Sequence, residues 1–331
     1  MIPSSADGPV DRSACDTGAM VQAVLHGEQR RPTRQHLSLI GVPSSVGSHN
    51  PGQEKAPKAL RDAGLMDRLR AVGADVEDTG DLAVQRHRPA IRVDGVRDLD
   101  RVASVARGTA DRVASVHARG RVPLVLGGDC TITLGVVAGL ARTRDVGLLY
   151  LDGDADLNTP AASGSGVLDT MGVTHLLGGG ADALSRIGPR HPLLQPQQVA
   201  LFGFDPGELD TGQWTRLAAS QLHAVPAPTV RGDSDGAAED ACRRLEQSCE
   251  AVVVHFDVDV LDPGAFPLAN FPHFARLTLE QTASCLARFC ASPKFAGLVV
   301  TEVNPDHDPD GELTTRLVEV LVEALAARPM S

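Results

Sequence analysis

The chain has 331 residues, 42% apolar and 22% charged, proportions that suit a folded globular protein with a sizeable core rather than a disordered or fibrous one. Its formal charge of −11 excludes a broad basic face for nucleic acid, and no local run of Lys and Arg restores one. No segment approaches the roughly 18 uninterrupted apolar residues of a membrane span. The six cysteines include no CxxC pair, which points to a reducing, cytoplasmic setting rather than a disulfide framework.

Residues 1–35 are rich in Ser, Pro, Asp and Arg and lack the apolar stretch of a signal peptide. They read as a mobile extension, with one short helix over 11–26. Regular alternation follows. Apolar runs of strand length occupy 36–41, 122–126, 146–151, 199–204, 251–256 and 295–300. Helix-period segments lie between them, at 56–71, 99–119, 131–142, 236–249, 278–290 and 312–327. This order predicts one α/β domain over 36–331, a mostly parallel sheet covered by helices on both faces. The loop 262–276, with three prolines, is long enough to be functional.

Ligands of open parallel sheets bind beyond the carboxyl ends of the strands. There the chemistry gathers. The run 122–126 leads into Gly127-Gly128-Asp129-Cys130, and 146–151 into Asp152-Gly153-Asp154-Ala155-Asp156. The run 251–256 leads into Asp257-Val258-Asp259, and 295–300 into Thr301-Glu302-Val303-Asn304-Pro305. A GGD turn or one DxD pair alone is usually just a connection or a helix cap, and a lone cysteine a small buried hydrophobe. Two DxD pairs, a GGDC and a further strand-end Glu together predict a mouth lined by Asp152, Asp154, Asp156, Asp257, Asp259, Glu302 and the Cys130 thiol. Carboxylates so crowded raise one another's pKa, and multiply charged cations are the ordinary way to hold them.

GGDC (127–130), DGDAD (152–156), FDVDVLDP (256–263) and EVNP (302–305), with the opening IGVPSSVG and APKALRDAGL, resemble the ureohydrolase family of arginase and agmatinase. The resemblance runs from about residue 37 to the end. It implies a three-layer α/β/α fold, two divalent ions (manganese first) and hydrolysis of a guanidino group to urea. Carried over by position, Asp152 and Asp257 bridge the ions, Asp156 serves the first, Asp259 the second, and Glu302 clamps the guanidinium. Asn158 and Ser165 match contacts to an amino acid's carboxylate, and Asp205 and Glu208 contacts to its amino group. The implied substrate is therefore arginine or hydroxyarginine rather than agmatine.

The pattern departs at three positions. Cys130 and Asp154 stand where the family has metal-binding histidines, and Asp169 where it has a catalytic one. Val167 replaces an Asn. Five aspartates and a thiolate against two divalent ions leave excess negative charge, which needs a proton or another cation and weakens each ion as a Lewis acid. In this reading Asp259 orients the attacking water and Asp169, with a raised pKa, moves a proton. Two other functions stay open: an impaired homologue that binds a ligand or a partner subunit, and an enzyme using Cys130 itself as nucleophile. Monomer and homo-oligomer are both open.

Overall fold

A computed structural model describes residues 36–274 and 276–327; the extension and helix expected within 1–35 lie outside them. Eight strands form one sheet: β1 (His36–Gly41), β2 (Asp75–Asp81), β3 (Val122–Leu126), β4 (Val146–Leu151), β5 (Val199–Phe202), β6 (His223–Val225), β7 (Ala251–Asp257) and β8 (Phe295–Thr301). Their order is β2-β1-β3-β8-β7-β4-β5-β6, and every described pairing is parallel. The expected "mostly parallel" sheet is entirely so.

Alternate side chains feed two cores, one per face. Leu149 and Leu151 of β4 and Val252, Val254 and Phe256 of β7 pack with helices Ser234–Ser248, Leu279–Cys290 and Glu312–Ala326. Leu148 and Tyr150 of β4, Val253 of β7 and Val299 of β8 face helices Leu99–Ala118 and Ile132–Leu140. Burial on both faces is why these strands read as continuous apolar runs.

The two strands absent from the sequence expectation are the edges. β2 reads DVEDTGD, with no apolar alternation. It is held by its ladder to β1 and by Asp75–Arg121, Glu77–Arg119 and Asp78–Arg61 ion pairs. Charged edges of this kind discourage pairing with other chains. The segment expected as one helix over 56–71 is two, Ala56–Asp62 and Leu65–Ala71, because Gly64 between them takes φ +82°.

The order of the sheet positions the chemistry. The strands that end in acids or thiol are β3, β8, β7 and β4, four neighbours at the centre of the sheet. At about 4.8 Å between strands, their ends lie within roughly 15 Å of one another.

Candidate metal centre

Both DxD pairs fold into the same turn. Asp152 Oδ1 accepts from the Asp154 amide at 2.6 Å, and Asp257 Oδ1 accepts from the Asp259 amide at 2.8 Å. Each first aspartate thus spends one oxygen on its own backbone, the Asx geometry that short acidic side chains favour. The other oxygen turns to Cys130: Asp257 Oδ2 is 2.6 Å from Sγ and Asp152 Oδ2 is 4.0 Å away. The Gly153 amide donates to Asp259 Oδ1 at 2.9 Å, tying the two turns together.

Cys130 reaches this point because the GGD turn is locked. Asp129 is fully buried and accepts from the Gly47 amide and the Thr131 hydroxyl. A Cβ at Gly128 would stand 2.0 Å from the Ser44 carbonyl, so only glycine fits. Two acids of the mouth hold left-handed backbones, Asp156 at φ +48° and Glu302 at φ +61°. For Glu302 this is a strained conformation of the kind that clusters at functional sites.

Cys130, Asp152, Asp154, Asp156, Asp169, Asp257, Asp259 and Glu302 line one pocket. Asn158, Ser165, Asp205 and Glu208 are not among its lining residues. Asn158 Oδ1 accepts from the Thr159 amide, Ser165 from Val167, and Asp205 from Gly207. Glu208 pairs with His273 Nδ1 at 2.6 Å and with Arg276 at 2.9 Å.

Two histidines join the cluster without having been read from the sequence. His255, fully buried on β7, has Nδ1 2.8 Å from the Thr133 hydroxyl and Nε2 3.3 Å from Asp152 Oδ2 and 3.7 Å from Cys130 Sγ. Its ring stacks on Tyr150, whose hydroxyl donates to Asp156 at 2.5 Å. Burial lowers its pKa to about 3, so its contact with Asp152 is no ion pair. His273, in the loop 262–276, lines the pocket beside Phe271. The sequence signal was thin: one histidine inside an apolar run and one in a proline-rich loop. Gln53 was missed as well; it donates to Glu302 Oε2 at 2.8 Å.

Among the described residues, three donor groups have ligating atoms mutually within 4.8 Å: Cys130, Asp152, His255 and Asp257; Cys130, Asp169 and Glu302; and Asp154, Asp259 and His273. Electrostatics shows what such groups need. Burial first, and neighbouring carboxylates next, hold Asp156, Asp257 and Glu302 well above the usual carboxylate range. Asp152 is raised to about 7 and Asp259 to about 6 by the same two causes. Burial and then Asp129 raise Asp169 well above its ordinary value. Arg276 and His273 offset part of this charge, and without further cations the remaining carboxylates hold protons. Mixed carboxylate, imidazole and thiol donors suit divalent transition ions, and no N–H donor among the described residues reaches the buried Glu302 Oε1. The residues fit a binuclear metal site.

A pH dependence follows for chelator-treated protein. Above about pH 7.5, a unit beyond the ordinary histidine value, the buried neutral histidines His175 (about 4) and His255 (about 3) match their unfolded protonation. The acid cluster still binds protons that the unfolded chain has released, so the folded state carries more protons and stability falls as pH rises. The melting temperature should drop between pH 7.5 and 8.5 with chelator and hold, or drop less, with saturating Mn(II). Scanning calorimetry giving a chelated protein that gains stability over that interval would contradict the electrostatic account.

Residues 35–327 match the arginase family. The chain is 28% identical over 295 residues to an arginase of Brevibacillus brevis, covering 88% of this chain and 97% of that one. It is 31% identical over 278 residues to an arginase of Bacillus caldovelox, covering 82% and 92%. The crystal structure of an arginase from Bacillus cereus superposes with a TM-score of 0.81 at 27% identity, covering 88% of this chain and 98% of that one.

Proposed function

The chain belongs to the arginase family, and from that premise we propose that it is a metal-dependent amidinohydrolase of an arginine-type amino acid, releasing urea or a substituted urea. One observation carries the reading: the pocket that gathers the mixed metal donors also holds Glu302, whose Oε2 is fixed by Gln53, whose side chain meets the Asp169 carboxyl, and whose buried Oε1 is reached by no N–H donor among the described residues. A guanidinium supplies the planar, cationic pair of donors such an oxygen lacks.

Cys130, Asp152, Asp156 and Asp257 would hold one divalent ion, and Asp152, Asp154, Asp257 and Asp259 the other, manganese being the first candidate. Bound there, such ions supply Lewis acidity and a water that ionises near neutrality. Glu302 holds the guanidinium against the cluster, and Asp259 orients the attacking water. Asp169 donates the proton to the leaving amine; burial and then Asp129 raise its pKa, the direction a proton donor needs. Its carboxylate stays in place by accepting from the Cys130 amide at 2.7 Å. Asn158, Ser165, Asp205 and Glu208 are assigned to the ends of the amino acid. A free thiol ligand suits a reducing cytoplasm.

Cys130 as nucleophile is disfavoured, because burial and then Asp257 push its pKa well above that of a free thiol. The test combines metal analysis of purified protein with a urea-release screen. We expect about two divalent ions per chain, with release from arginine, hydroxyarginine or homoarginine and little from agmatine. Metal with no turnover on any of these would favour the impaired homologue. Faster release from agmatine would overturn the assignment of the amino-acid contacts.

A further inference from the structure

The third donor group draws its members from two sources. Asp154 and Asp259 come from strand ends, whereas His273 comes from the loop 262–276, which also carries two of the residues that line the mouth, Ala269 and Phe271. That loop is pinned at its base by the Leu261–Leu277 bridge. Midway, the Asn304 amide donates to the Leu268 carbonyl at 2.8 Å and the Asn304 side chain to Asn270 at 2.7 Å. The imidazole is therefore delivered by a held loop.

Its orientation is set from behind. Nδ1 lies 2.6 Å from Glu208 Oε2, and the same oxygen accepts from Arg276 Nη2 at 2.9 Å. The Arg276 side chain is wholly buried, and its Nε and Nη1 have no other partner. With Nδ1–H donated to Glu208, Nε2 presents its lone pair forward. It stands 3.6 Å from Asp154 Oδ2 and 3.6 Å from Asp259 Oδ2. Two donors about 2.1 Å from one ion stand about 3.0–3.5 Å apart, so the three atoms are near the spacing that a shared cation imposes. A carboxylate behind a ligating imidazole is the usual way to fix its tautomer and raise its basicity.

Resting on the binuclear reading above, we propose that His273 is a ligand of the second cation, with Glu208 and Arg276 as its positioning residues. The imidazole that position 154 lacks is supplied from across the pocket, so Asp154 is partnered by a neutral donor. Arg276 beneath the cluster adds the cation that its excess of acids requires. The competing role is simpler: a protonated His273 that pairs with Asp154 and Asp259 and competes with metal.

Mn(II) titration of metal-free protein, read by bound ion per chain and by thermal shift, separates the two. Wild type should take up about two ions and His273→Ala about one. Asp154→His in the His273→Ala background should restore the second ion, an exchange that a merely structural histidine would not allow. Glu208→Gln should keep both ions but weaken the second roughly 10- to 100-fold. It also serves as the test if His273→Ala does not fold. Undiminished or tighter uptake of two ions by His273→Ala, or an unchanged second affinity in Glu208→Gln, overturns the assignment alone. Wild-type protein that binds no Mn(II) overturns both it and the binuclear reading.

Discussion

Asp257→Asn is expected to abolish most urea release while raising the stability of the metal-free protein. The side chain keeps its shape, and its oxygen can still accept from the Asp259 amide, the contact that holds the turn. What it loses is the negative charge beside Cys130 and within reach of the Asp152 and His255 donors. Loss of one electrostatic element in a dry active site commonly costs about a hundred- to a thousandfold in turnover. A carboxylate assigned to both ions should reach the upper end. The stability effect has the opposite sign. Asp257 is fully buried, and burial, then Asp259 and Asp152, oppose its ionisation. An amide cannot ionise, so the variant is spared the loss of stability that a buried carboxyl suffers when the unfolded chain releases its proton more readily than the folded one. Melting curves with chelator at pH 8 should therefore rise, and those with saturating Mn(II) should not. A variant that keeps wild-type turnover, or whose chelated form melts lower, would contradict the assignment of Asp257.

Glu302→Gln should lose comparable activity by another route, with metal content unchanged. Glu302 is fixed by Gln53 on one oxygen and by its amide, which donates to the Gly128 carbonyl at 3.0 Å. Gln has the same outline and retains an oxygen for Gln53, so the left-handed backbone at 302 meets no new demand. The charge that a guanidinium would meet is gone. Charge-assisted pairs are about twice as strong as neutral ones, and a donor left facing an amide nitrogen loses its partner altogether. We expect kcat/KM for arginine to fall about a hundred- to a thousandfold. Bound ion should stay at the wild-type ratio, which distinguishes this variant from Asp257→Asn. Loss of metal in Glu302→Gln would move Glu302 from the substrate to the metal, as its place with Cys130 and Asp169 in the second donor group allows.

Much of this protein was legible from its sequence. The six apolar runs became six of the eight strands because a parallel strand buried on both faces has little choice but continuous apolar composition. The acids after 151 and 256 declared themselves because strand-end residues in such sheets face the ligand crevice, and no folding argument explains two DxD pairs there. The edges were hidden for the complementary reason. β2 satisfies its backbone on β1 and its charges on Arg61, Arg119 and Arg121, so it needs no apolar pattern.

Sequence by itself thus determined the fold class, the family pattern and the strand-end acids with Cys130, all properties of short segments read along the chain. Only the tertiary structure decided which residues complete the centre. His255 was hidden because a side chain two residues before a strand end looks like core until the neighbouring strand is known. Here β4 brings Tyr150 against its ring and Asp152 to its Nε2. His273 and Arg276 were hidden because a loop has no period, and so was the use of Glu208 behind the imidazole, since their meeting depends on where the pinned ends of that loop leave it. Ligand geometry arises from the order of strands across the sheet and the path of loops over its edge. Neither is encoded in the spacing of residues along one segment.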